Sequence, residues 1–196
     1  MIGKMITILL SVRPEWVAKI HNGEKLAEIR GTIPKKAMMK NEPIRVCIYC
    51  TKDTKRILAG TPLVEKSWKC WNRNEWSAQE KKDCGYGAYN GKVVSEFMLN
   101  MTECFTTDYR KNAEQTARIC KLSCVSFDEM ADYEVGKPCL FAWHISHLHI
   151  YDKPKELHEF GNYETRYSKA RKSQITGWFP LRRPPQSYCY VEEKDA

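Results

Sequence analysis

The chain has 196 residues, 42% of them hydrophobic and 29% charged, a composition ordinary for a soluble globular protein. Its formal net charge of +8 favours polyanionic partners, and no run of about 18 apolar residues is present to span a membrane. Nine cysteines, an odd count without framework spacing, and an N-terminal apolar run (Ile6 to Leu10) too short for a signal segment predict reduced thiols in the cytoplasm, and the length predicts a single domain over residues 1–196.

Thr7 to Val12 is apolar and reads as a strand. Pro14 then opens a short helix with Trp16, Val17 and Ile20 on one face, and Asn22-Gly23 ends it. Lys25 to Arg30 follows, with Leu26, Glu28 and Arg30 facing one way if extended. Pro43 precedes a strand from Arg45 to Thr51. Residues 52–90 are polar and irregular, carry Trp68, Trp71 and Trp76 and a turn at Gly85 and Gly87, and read as a long insertion with its own small hydrophobic cluster. The three tryptophans are alternatively a patch for a protein partner. Asn90-Gly91 marks a turn into a strand from Lys92 to Met101.

Ser126 and Glu129 form a capping box, with Val125 and Met130 as its hydrophobic staple, and Gly136-Lys137-Pro138 stops that helix. Leu140 to Tyr151 reads as one long strand, turned at Asp152-Lys153-Pro154. Asn162 to Thr176 reads as an exposed loop or frayed helix, and Pro180 to Glu193 as an edge strand. Many short strands with few short helices predict an α+β fold, a small, partly closed β-barrel with capping helices and the 52–90 insertion.

The densest chemistry lies in Lys25, Glu28 and Arg30. A lysine beside a carboxylate has a tunable proton affinity where water is partly excluded, and an arginine offers a planar donor fork to a phosphate or base edge. The plain alternative is a surface ion-pair cluster. His144, His147 and His149 lie on the long strand without a matching carboxylate or cysteine pair, so no metal is expected. Cys47 and Cys50 point to opposite faces of a strand, and Cys120 and Cys124 lack a partner pair; buried thiols are the better account. Arg166, Lys169, Arg171, Lys172, Arg182 and Arg183, interleaved with Tyr163, Tyr167 and Trp178 between Gly161 and Arg183, predict an accessory nucleic-acid contact surface.

The run Leu9-Leu10-Ser11-Val12-Arg13-Pro14-Glu15-Trp16, followed by Asn22-Gly23-Glu24-Lys25, Glu28, Arg30 and Pro34, resembles the opening of an ASCH domain, one of the small β-barrels of the PUA-like superfamily. The likeness continues at Ile48 to Thr51, Gly91 to Phe97, Ala142 to Ser146, Ile150 to Leu157 and Arg183 to Ser187, in the pattern of the longer ASCH proteins of phages and prophages. The resemblance implies RNA or modified-nucleotide binding in a basic cleft at the barrel mouth lined by Ser11, Lys25, Glu28, Arg30 and His144. Some small ASCH proteins are amidohydrolases that deacetylate N4-acetylcytidine, and others have been proposed to be ribonucleases. The amidohydrolase lysine matches Lys25, with Glu28 standing where a threonine is expected, Leu26 replacing the threonine after the lysine and Gly31 a common basic residue. Three functions follow: nucleic-acid binding, a nucleoside amidohydrolase centred on Lys25 and Glu28, and a non-catalytic phage or host interaction module using the tryptophans. None requires a cofactor.

Overall fold

A computed structural model describes residues 5–35, 42–61, 67–75, 89–168 and 170–194. Trp76, Lys169 and the turn at Gly85 and Gly87 lie outside them. The apolar N-terminal run forms β1 (Thr7–Val12), and Pro14 begins α1 (Pro14–His21), which Gly23 closes with a φ of +74°. β2 (Ala27–Arg30) and β3 (Ile44–Cys50) follow, and β3 lies parallel to β1. Both faces of that pair are buried: Ile8, Leu10 and Val12 join the principal core with Val46, Ile48 and Trp143, while Leu9, Cys47 and Tyr49 pack a second layer with Phe160 and Val191. Strict alternation on a doubly covered strand explains why β1 and β3 read as continuous apolar runs.

The insertion contributes a hairpin, β4 (Arg56–Thr61) and β5 (Ser67–Asn72), that packs on α1. Trp68 does not stay within a private cluster of the insertion. It is 4% exposed in the principal core, edge-on to His21 at 4.5 Å and to Tyr89 at 5.0 Å. Gly60, opposite Trp68 in the hairpin, has no room for a side chain, since a Cβ there would lie 2.5 Å from the indole. Trp71 packs locally with Ile57 and Ala59. His21 donates or accepts through Nε2 to Ser95 Oγ at 2.8 Å, and burial alone holds its pKa down at about 3, so the ring is neutral.

β6 (Val93–Leu99) extends the sheet beyond β3, and β7 (Thr102–Phe105) leads into two helices, α2 (Tyr109–Ser123) and α3 (Phe127–Glu134). The capping box at Ser126 and Glu129 is present, and Val125 and Met130 pack in one cluster. The expected long strand is two: β8 (Leu140–His144) and β9 (Ser146–Lys155). The chain leaves one sheet at Ile145, whose N–H bonds Leu26 O, and His147 takes a φ of +49°. β9 runs through Asp152-Lys153-Pro154, so no turn forms there.

Asn162 to Thr176 is neither loop nor helix; β10 (Phe160–Ser168) and β11 (Ser173–Pro180) form a hairpin across it. β12 (Tyr188–Glu193) is not an edge strand but lies between β10 and β1. The main sheet has the order β11-β10-β12-β1-β3-β6-β9, beside a three-stranded sheet β2-β8-β7 and the β4-β5 hairpin. The α+β class holds, but the expected barrel does not close: β11 and β9 end the main sheet on opposite sides, and no ladder joins them among the described residues. No helix among those residues is long and apolar enough to cross a membrane.

Candidate functional site

The site begins with how two helices end. The last carbonyls of α2 have no partner within the helix. Leu122 O accepts the backbone N–H of Leu26 at 2.7 Å, and Ser123 O accepts Lys25 Nζ at 2.6 Å. A lysine ammonium at a helix C-terminus sits against the negative end of the helix dipole. The chain enters this position directly from α1, whose Lys19 O accepts the N–H groups of Glu24 and Lys25. β2 starts only at Ala27, so Lys25 escapes strand alternation, which would have set it opposite Glu28. Instead Lys25 Nζ lies 3.3 Å from Glu28 Oε2 and 4.9 Å from the centre of the Trp16 ring.

Alternation within β2 places Ala27 and Ile29 in the core beneath α2 and α3, and turns Glu28 and Arg30 the other way. Arg30 Nη2 reaches Glu28 Oε1 at 2.9 Å and donates to Ser11 O at 2.7 Å. Lys25 is 2% exposed and Glu28 6%. Burial is the leading influence on Lys25 and lowers its pKa, against the opposing pull of Glu28. The three charges therefore form one chain, cation–anion–cation, with Lys25 and Glu28 buried and Arg30 13% exposed, and are not a surface ion-pair cluster.

This chain forms one wall of a cavity of about 470 Å³, within the size range of small-molecule sites. Trp16 and Ile29 continue that wall; Val125, Glu129, Met130 and Tyr133 on α3 and the loop before it line the cavity from the helical layer. Ser11, Thr51, Gln186 and Ser187 complete the lining at the carboxyl ends of the parallel pair β1 and β3. Ser11 braces the lining: its hydroxyl donates to Pro185 O at 2.7 Å and its N–H to Ser187 O at 2.9 Å.

Ser11, Lys25, Glu28 and Arg30 are thus brought together, whereas His144 is not. It ends β8 paired with Ala27, and its Nε2 meets Glu103 Oε1 at 2.5 Å, outside the residues lining the cavity. Arg118 also pairs with Glu103 and is the first cause of that carboxyl's low pKa of about 2. Of the other basic residues predicted as a contact surface, three lie on the β10-β11 hairpin: Arg166 pairs with Glu164 and stacks on Phe179 at 4.3 Å, and Arg171 and Lys172 stand exposed at the turn, while Arg182 and Arg183 follow β11. Tyr163 and Tyr167 are 67% and 65% exposed on the opposite face of that hairpin from Arg166. Trp68 is unavailable to a partner because it is buried. No group of three metal-ligating side chains occurs among the described residues, and Cys47 and Cys50 are buried on opposite faces, the Cys47 thiol pushed up to about 11 by desolvation.

Sequence reasoning missed the Ser123 carbonyl and the α3 wall residues Glu129, Met130 and Tyr133. The i, i+1, i+4 spacing of the last three after the capping box was the available signal.

No protein-family model and no curated protein matches the chain. Solved structures do. The ASCH protein of Zymomonas mobilis aligns over 95% of this chain and 87% of its own length, with a TM-score of 0.51 at 16% identity. A serine-to-alanine variant of it aligns over 96% and 89%, with a TM-score of 0.52 at 15% identity, and a tyrosine-to-phenylalanine variant over 96% and 91%, with a TM-score of 0.52 at 16% identity. The chain has the ASCH fold. Identities this low establish architecture alone, so the chemistry of this ASCH fold rests on the Lys25–Glu28–Arg30 chain and the cavity beside it.

Proposed function

We propose that the protein binds nucleic acid, RNA in particular, or a modified nucleotide, with one base held in the cavity beside Lys25, Glu28 and Arg30. The observation that carries this reading is the convergence of a desolvated cation–anion–cation chain on a base-sized hollow that Trp16, Val125 and Tyr133 also line. Inside such a hollow a planar polar guest meets donors and an acceptor at low local dielectric, where each hydrogen bond counts for more than in water. Arg13 lines the same cavity, and the net charge of +8 adds long-range attraction for a polyanion. A second reading, an amidohydrolase acting on an acylated nucleoside, is favoured by one feature: burial lowers the proton affinity of Lys25, as a nucleophile or general base at an amide carbonyl requires.

One preparation tests both. Wild-type protein is expected to bind a short single-stranded RNA in fluorescence anisotropy, with an affinity that falls steeply with added salt, and Arg30→Ala is expected to weaken binding by roughly tenfold or more, the scale of a lost charge-assisted contact. Absence of RNA binding at low salt refutes the first reading. Acetate release from N4-acetylcytidine, abolished by Lys25→Ala, is the result that establishes the second in its place.

A further inference from the structure

A second cleft adjoins the cavity and shares Thr51 with it. Its volume is about 740 Å³, and its lining includes Lys52, Gly91, Glu156, Arg182 and Arg183. The segment from Leu181 to Ser187 borders both spaces: Arg182, Arg183 and Pro184 line the cleft, while Gln186 and Ser187 line the cavity. That segment is tied down at both ends. Leu181 N–H donates to Phe160 O at 2.7 Å, and Ser11 holds Pro185 and Ser187.

Charge in the cleft is unbalanced. Its acid, Glu156, pairs with Lys92 at 2.9 Å. Lys52, Arg182 and Arg183 are exposed and make no ion pair among the described residues. The Lys52 stem lies over Gly91, where the backbone has a φ of +85° and a Cβ would come within 2.9 Å of Lys52 Cε. A glycine at this position therefore serves both the turn and the approach of the lysine.

We infer that this second cleft carries the sugar–phosphate backbone of the strand whose base occupies the cavity, so that the ligand is an oligonucleotide and not a free nucleoside. The inference rests on the nucleic-acid reading above. Three unpaired cations leading away from a base-sized hollow match a polymer that carries one negative charge per residue. A free nucleoside offers them no negative charge.

The test uses the full chain and the triple variant Lys52→Ala, Arg182→Ala, Arg183→Ala, whose changes are all exposed. Binding is measured to a labelled single-stranded RNA of about eight nucleotides by anisotropy, and to the four ribonucleosides by calorimetry. The variant is expected to lose roughly tenfold or more in RNA affinity at about 0.1 M salt, with the slope of log affinity against log salt falling by about 2, close to 0.7 per lost phosphate contact on a single strand. Nucleoside binding is expected to stay unchanged. If the variant binds RNA with wild-type affinity and slope, the strand does not cross this cleft and the inference fails while the base-binding cavity stands. If the wild type binds neither RNA nor nucleoside, the underlying reading fails and the inference falls with it.

Discussion

Glu28→Ala is expected to destabilise the fold by about 3–5 kcal/mol, the scale found when one member of a buried ion pair is removed. Glu28 stands between Lys25 at 3.3 Å and Arg30 at 2.9 Å and is 6% exposed. Without it, Lys25 and Arg30 lose the carboxylate they share and face each other as like charges. Lys25→Met is expected to cost less than about 2 kcal/mol, because Glu28 retains Arg30 and the main loss is one donor to Ser123 O. The asymmetry follows from position in the chain of charges: the central anion neutralises both neighbours, and the lysine is already disfavoured as a cation by burial. Urea denaturation at neutral pH checks it, and equal costs for the two substitutions would contradict the central place of the glutamate.

The second large effect is on acid stability. His21 is buried, packed edge-on against Trp68, and its folded pKa is about 3 against an ordinary value of 6.5. A base whose pKa is lowered by folding binds more protons in the unfolded chain between those two values, so stability rises with pH across that window and is lost as pH falls through it. At about 1.4 kcal/mol per pKa unit the loss on acidification from pH 7 to about 3 is roughly 3–5 kcal/mol from this group. His21→Gln keeps a hydrogen-bonding group near Ser95 but does not titrate, and is expected to flatten the dependence of unfolding free energy on pH between about 6.5 and 3. An unchanged slope in that variant would place the acid sensitivity in other groups.

The parts of the fold legible in the sequence are those where one local rule dominates. β1 showed as an apolar run, α1 as a proline start with a glycine stop, and α3 as a capping box. Helix α2 was not assigned, because its buried positions include the small polar residues Thr116 and Ser123 beside Ile119 and leave little apolar periodicity. The break between β8 and β9 lay within a continuous β-compatible run, where a change of sheet leaves no mark in hydropathy. The β10-β11 hairpin was hidden by charge, although Tyr163, Thr165 and Tyr167 alternate, and the hydroxyls of Thr165 and Thr176 meet at 2.7 Å across it. Within the site, Lys25, Glu28 and Arg30 were recognisable as a cluster, but their burial depends on α2 and α3, about a hundred residues later in the chain. The resemblance placed His144 in the cleft, and the side-chain direction that sends it to Glu103 is not written in its neighbours.

The most direct test of the proposed site is where a bound base comes to rest. Photo-cross-linking of a 5-iodouridine-substituted RNA, followed by mass spectrometry of the linked peptides, reads that position from side chains in contact with the base. Linkage to Trp16 or Tyr133 in the cavity is the predicted result; linkage confined to Tyr163 and Tyr167 on the distant hairpin would contradict it.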